Sequence, residues 1–186
     1  MPFTPYHFGP GFMLGFIFFS VFDLLTFLIA SVIVDIEPLF VMLFNLNYPL
    51  HGFLHSFLGG SILALPLSLI MYKIKPYFNP ILEIFKLGQD VKLYKTILAS
   101  FIGVYFHIFL DSFLYTDIQP FFPFDLNPLY NVLSSSVIYA FCEWSFFIAF
   151  FLYLAYIGYI LISEYKKPDE DTNSESNNME SNGKID

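Results

Sequence analysis

The chain has no arginine, one cysteine, one tryptophan and only four histidines among its 186 residues. Charged residues make up 13% of it, against about 25% in an ordinary soluble domain. Each shortage excludes something. Without arginine there is no bidentate grip on phosphate groups, so nucleic acid is not an expected partner. A single cysteine, Cys142, rules out an intramolecular disulfide; set in an apolar run, it reads as a small buried hydrophobe. No lysine precedes the first apolar run and no convincing small-residue cleavage site follows it. The first hydrophobic segment is therefore read as retained rather than as a secretory signal.

What fills the chain instead is apolar. Hydrophobic residues account for 56% of it and aromatic ones for 22%, with 26 Phe, and the mean hydropathy is +0.64. Lipid is the solvent in which such a surface carries no penalty. The composition predicts an all-α, polytopic membrane bundle of about five membrane helices, because a helix satisfies its own backbone in a medium without water. The formal charge of −8 is unevenly spread. Seven of the sixteen acids (Glu164, Asp169, Glu170, Asp171, Glu175, Glu180 and Asp186) lie near the C-terminus. A membrane domain over 1–165 and a disordered acidic tail over 166–186 follow, the tail being too polar to build a core.

Apolar residues run from Phe8 to Val34 with only Asp23 interrupting. About 20 residues cross the hydrocarbon core, so the run is split near Phe22–Asp23 into helices over 8–21 and 24–34. Gly11 and Gly15 form a small-residue face suited to close helix packing. Asp35-Ile36-Glu37-Pro38 reads as a break, and Leu39–Phe44 as a short interfacial or re-entrant piece. A helix over 51–72, bent at Pro66, precedes a surface-lying amphipathic connector over 73–95, which holds five of the eight lysines. Further helices are expected over 96–114 and 132–165, the latter either continuous or broken near Glu143. A loop rich in proline and aromatics joins them.

The lysines orient the whole. Segment 73–95 and Lys166-Lys167 fall on one side, which the positive-inside rule makes cytoplasmic. Every histidine then lies at the outer end of a helix: His7 before the first, His51 and His55 in the first turns of the third, His107 in the last turns of the fourth. Asp35 and Glu37 sit at the same level, whereas Asp23 belongs to the opposite side and is set aside. Side chains four residues apart share a helix face, so His51 with His55, and His107 with Asp111, can each aim two ligands at one place. Imidazole and carboxylate suit zinc, manganese or iron. The set exceeds the usual four ligands of one zinc and leaves room for two ions and an activated water. Simpler readings stand beside this one. His7 can be an interfacial anchor, Glu37 a solvated helix end, Glu143 an outer-shell group, and Phe121-Phe122-Pro123-Phe124 an aromatic belt or a lid over a site.

The run His7, Asp35-Ile-Glu37-Pro, His51-Gly-Phe-Leu-His55-Ser56 and His107-Ile-Phe-Leu-Asp111 resembles the YdjM-like membrane-bound metal-dependent hydrolases over roughly residues 1–130. More distantly it is similar to the helical superfamily of zinc-dependent phospholipase C and single-strand nucleases. The resemblance implies that His7, Asp35, one or both of His51 and His55, His107 and Asp111 are metal ligands, Asp111 being the candidate bridge. No histidine follows His107, so the later H-x-x-x-E pair of the soluble enzymes has no counterpart, and one or two metals are expected rather than three. The expected activity is hydrolysis of a phosphoester in a lipid or lipid-linked substrate at the outer membrane face, with Glu37 as general base. A transporter lined by histidines and acids, or a non-catalytic membrane scaffold, are the alternatives.

Overall fold

In a computed structural model describing residues 5–90 and 92–166, the chain is all-helical, with no strand among those residues. It divides into two compact units, 1–152 and 153–186. The second is described as far as Lys166 and holds the end of the last helix. The acidic tail, from Lys167 onward, lies outside the described residues.

Six α-helices follow one another: α1 (Pro5–Ile17), α2 (Leu24–Ala30), α3 (Ile36–Leu43), α4 (Phe57–Ile84), α5 (Leu93–Ser112) and α6 (Ser135–Tyr165). Four stretches are long and apolar enough to cross a membrane: Leu24–Leu43, α4, α5 and α6. Large hydrophobic side chains stand exposed along them, among them Ile62, Leu69, Phe147 and Phe151. Patches of this kind are rare on a protein facing water. The chain is built as a membrane protein.

The division near Asp23 holds for a reason visible in the side chain. Asp23 caps α2 by accepting from Thr26 N at 2.9 Å and from Thr26 Oγ1 at 2.5 Å. The expected break at 35–38 is replaced by continuing helical backbone. A 3-10 turn, Ile33–Asp35, leads into α3 with Pro38 inside its first turn, where a missing N–H costs nothing. The segment 39–44 is thus mostly part of α3, and Asp35 sits at the one non-α point of a 20-residue candidate span.

Two further boundaries move. The third helix starts at Phe57, not at 51, because Ser56 caps it by accepting from Gly59 N at 2.9 Å. His51 and His55 precede it, His55 in a 3-10 turn, Phe53–His55. The same helix runs through Pro66, Pro76 and Pro80 to Ile84, so the connector expected over 73–95 is reduced to the loop between Ile84 and Leu93. Its first two lysines, Lys73 and Lys75, belong to α4. The helix over 135–165 is unbroken, and Glu143 is exposed on it.

Helices α2, α4 and α5 form the centre, α5 packing on both others. Their buried contact is made by Ala30, Val34, Ala64, Leu67, Met71, Val104 and Ile108. Lipid tails are as apolar as leucine, so close van der Waals fit rather than water exclusion holds such helices together. Small residues permit that fit. A Cβ on Gly103 would lie 2.6 Å from Ala30 Cβ and 3.0 Å from Phe27 O, and one on Gly15 of α1 would lie 2.5 Å from Leu24 Cδ1. Gly103→Ala is therefore expected to cost about 1–3 kcal/mol, the usual price of overpacking, read as a lower unfolding midpoint in detergent micelles. Because α2 and α5 run side by side in the same direction, their C-terminal ends arrive together.

Candidate metal centre

At that shared end, Asp35 and His55 meet His107 and Asp111 of α5. One ligand atom from each of these four residues lies within 4.8 Å of every other. His55 and His107 are 0% exposed and Asp111 2%. The i, i+4 spacing of His107 and Asp111 acts as expected, since α5 is regular there. His107 Nε2 lies 3.3 Å from Asp111 Oδ2 and 3.4 Å from Asp35 Oδ1.

Those distances are informative because the tautomer at His107 is constrained. Its Nδ1 is 2.8 Å from Ser31 O. A carbonyl can only accept, so Nδ1 carries the hydrogen, and a neutral ring then presents a lone pair at Nε2. That Nε2 makes no hydrogen bond, although it is buried. His55 repeats the pattern. Its Nδ1 is 2.9 Å from Glu37 Oε2, while its Nε2 is buried without a hydrogen bond, 4.0 Å from Asp35 Oδ1. Burial lowers the pKa of His55 below the ordinary imidazole value, against the opposing pull of the Glu37 hydrogen bond. Its ring is thereby kept neutral, the form that binds metal. Buried nitrogen lone pairs facing carboxylate oxygens repel one another unless a cation lies between them. Bonds of about 2.1 Å to a tetrahedral zinc would set adjacent ligand atoms about 3.4 Å apart, close to the two His107 contacts. The donor set therefore fits a divalent ion.

The other expected residues surround this group without joining it. His7 Nε2 is 3.1 Å from Asp111 Oδ1, and its ring lies against that of His107, with centroids 4.2 Å apart. Glu37 accepts from Gly52 N at 3.0 Å and Leu54 N at 3.1 Å as well as holding His55 Nδ1. It is fully engaged in orienting that segment. His51 and His55 do not share a helix face, because Gly52 and the 3-10 turn separate them. Instead, His51 Nδ1 faces Asp117, at 3.0 Å from Oδ1 and 3.2 Å from Oδ2, and His51 N donates to Asp117 Oδ2 at 3.1 Å. The His51 ring stacks on Tyr115 at 4.0 Å and meets His55 edge-on at 4.8 Å.

Asp117 is thus a residue of the site that sequence reasoning passed over. It lies six positions beyond Asp111, in a loop with no periodicity to mark it. The same loop folds over the start of α4: Phe57 N donates to Pro120 O at 2.9 Å, Phe121 packs on Phe57, and Phe122 packs on Phe53.

A second polar cluster occupies the opposite end of α5. Asp23, set aside in the sequence reading, is 1% exposed and forms an ion pair with Lys75, itself 0% exposed. Gln89 ties the same corner, donating to Phe19 O at 2.6 Å and Phe22 O at 2.9 Å and accepting from Leu24 N at 2.8 Å.

No protein-family model, no curated protein and no solved structure matches this chain.

Proposed function

We propose that the chain is a membrane-embedded, metal-dependent hydrolase acting on a phosphoester in a lipid or lipid-linked substrate. One observation carries the metal half of this reading: two buried imidazoles have their Nδ1 atoms anchored elsewhere and their Nε2 atoms gathered with two aspartates. His55, His107, Asp35 and Asp111 are the proposed ligands. His7 steadies the free oxygen of Asp111, and Glu37 fixes the ring plane of His55, a positioning task in place of the general-base role expected of it. Zinc, manganese or iron bound there would polarise a phosphoryl oxygen and acidify a water. The hydrolase half is supported by the resemblance of the His and Asp motifs to the YdjM-like family.

The site is proposed to face the non-cytoplasmic side, with Lys73, Lys86, Lys92 and Lys95 at the cytoplasmic end and the C-terminus also cytoplasmic. Against a proton or ion relay stands the apolar packing of Leu67, Met71 and Val104 between the metal-type cluster and the Asp23–Lys75 pair. A relay needs titratable groups spread through the depth of the membrane.

The deciding experiment is metal analysis of the full chain purified in detergent, followed by hydrolysis assays on a panel of phospholipids. One or two ions per chain are expected, with turnover abolished by chelation and restored by zinc or manganese. A chain that carries no stoichiometric metal overturns the reading.

A further inference from the structure

A cavity of about 240 Å³ opens beside the metal-type cluster, lined among others by Tyr48, His51, Phe53, Asp117, Gln119 and Phe122. It touches the cluster through His51, whose ring abuts that of His55. Its chemistry is one-sided. Asp117 is partly open to solvent, with 36% of its side chain exposed. Burial raises its pKa, but the hydrogen bonds from His51 N and Nδ1 outweigh that and lower it, so the carboxylate is ionised. Tyr48, Phe53 and Phe122 supply aromatic surface, and the Tyr48 ring is seated so closely over Gly52 that a Cβ there would lie 2.1 Å from it. Opposite these no basic side chain is available. The chain has no arginine, and no lysine occurs between Met1 and Tyr72 or between Thr96 and Tyr165.

A carboxylate framed by aromatic rings is a receptor for an organic cation, held by charge and by the negative faces of the rings. It is a poor receptor for a second anion. We infer that this cavity is the subsite for an ammonium group on the substrate headgroup, so that the substrate is a zwitterionic phosphoester whose phosphate sits at the metal-type cluster and whose amine sits at Asp117. The inference rests on the hydrolase reading and narrows it to one class of lipid headgroup. The volume suits a small aminoalcohol, not an acyl chain.

The test uses the full chain in detergent micelles, loaded with zinc and checked for zinc content first. Phosphoethanolamine and glycerol phosphate, which share the phosphate and differ in the amine, are then titrated by calorimetry. Phosphoethanolamine is expected to bind roughly tenfold more tightly, the scale of a partly desolvated cation–aromatic contact. Asp117→Asn keeps an acceptor for His51 and is expected to abolish the preference without changing zinc content. Phe122→Leu, on the exposed wall, should reduce it. Equal affinity for the two fragments, binding of neither by zinc-loaded protein, or a preference that survives Asp117→Asn each overturns the subsite while leaving the metal reading standing. Failure of the wild-type chain to hold zinc overturns the metal reading itself, before any fragment is added.

Discussion

His107→Ala is expected to leave the purified chain without stoichiometric divalent metal, and Asp111→Ala to do the same. Each removes a buried donor of the four-residue group, and nothing nearby can replace it. His7 faces Asp111 from the other side, and His51 is committed to Asp117. Loss of an outer partner that merely orients a ligand costs about 10–100-fold in metal affinity, so loss of a ligand should exceed roughly 100-fold, or about 2.8 kcal/mol. Glu37→Gln provides the internal comparison. It keeps the shape and weakens only the hold on His55 Nδ1, so its metal affinity should fall within the outer-partner range. Metal analysis after dialysis, with the helical circular-dichroism signal as a control for folding, reads all three. Metal content equal to wild type in both alanine variants would show that the cluster is a hydrogen-bonded structural tie, and the scaffold reading would take its place.

Lys75→Met is expected to produce the largest loss of stability of any single change outside that cluster. Asp23 and Lys75 are both almost completely buried. Removing the lysine charge leaves the carboxylate with only Thr26 N and Oγ1 as hydrogen-bond donors. Breaking one partner of a buried ion pair costs about 3–5 kcal/mol, whereas replacing both by neutral groups of similar size is often tolerated. Asp23→Asn combined with Lys75→Met should therefore recover much of what Lys75→Met loses. Unfolding midpoints in detergent micelles distinguish the outcomes. If the double variant is no more stable than the single one, the two side chains do not act as a pair. Metal content should be the same in all these variants once folded, because the pair lies at the far end of α5 from His107.

The two constellations differ in how legible they were, and the difference is instructive. His107 and Asp111 are four residues apart inside a long apolar run with no glycine, proline or capping residue between them. A regular helix was the only economical reading, and it put both side chains on one face. His51 and His55 have the same spacing, yet Gly52 and the capping Ser56 interrupt the helix before it begins. Periodicity failed there because a cap is a local signal that a count of four does not register. Asp35 and Glu37 were placed at the correct level, but the proline after them was taken for a break when its position in the first turn of α3 made it harmless.

Apolar content, the shortage of charge and the length of the hydrophobic runs were enough to determine a helical membrane protein and to gather most of its imidazoles and acids toward one end. These are consequences of solvent transfer and helical repeat, which act within a few turns of the chain. Which buried groups satisfy one another was decided only by the tertiary structure. Glu37 with His55, Asp117 with His51, Lys75 with Asp23 and Ser31 O with His107 join positions far apart along the chain or on different helices. A buried polar atom must find a partner wherever the packed helices bring one within reach, and that proximity is a property of the packing, not of any local stretch of residues.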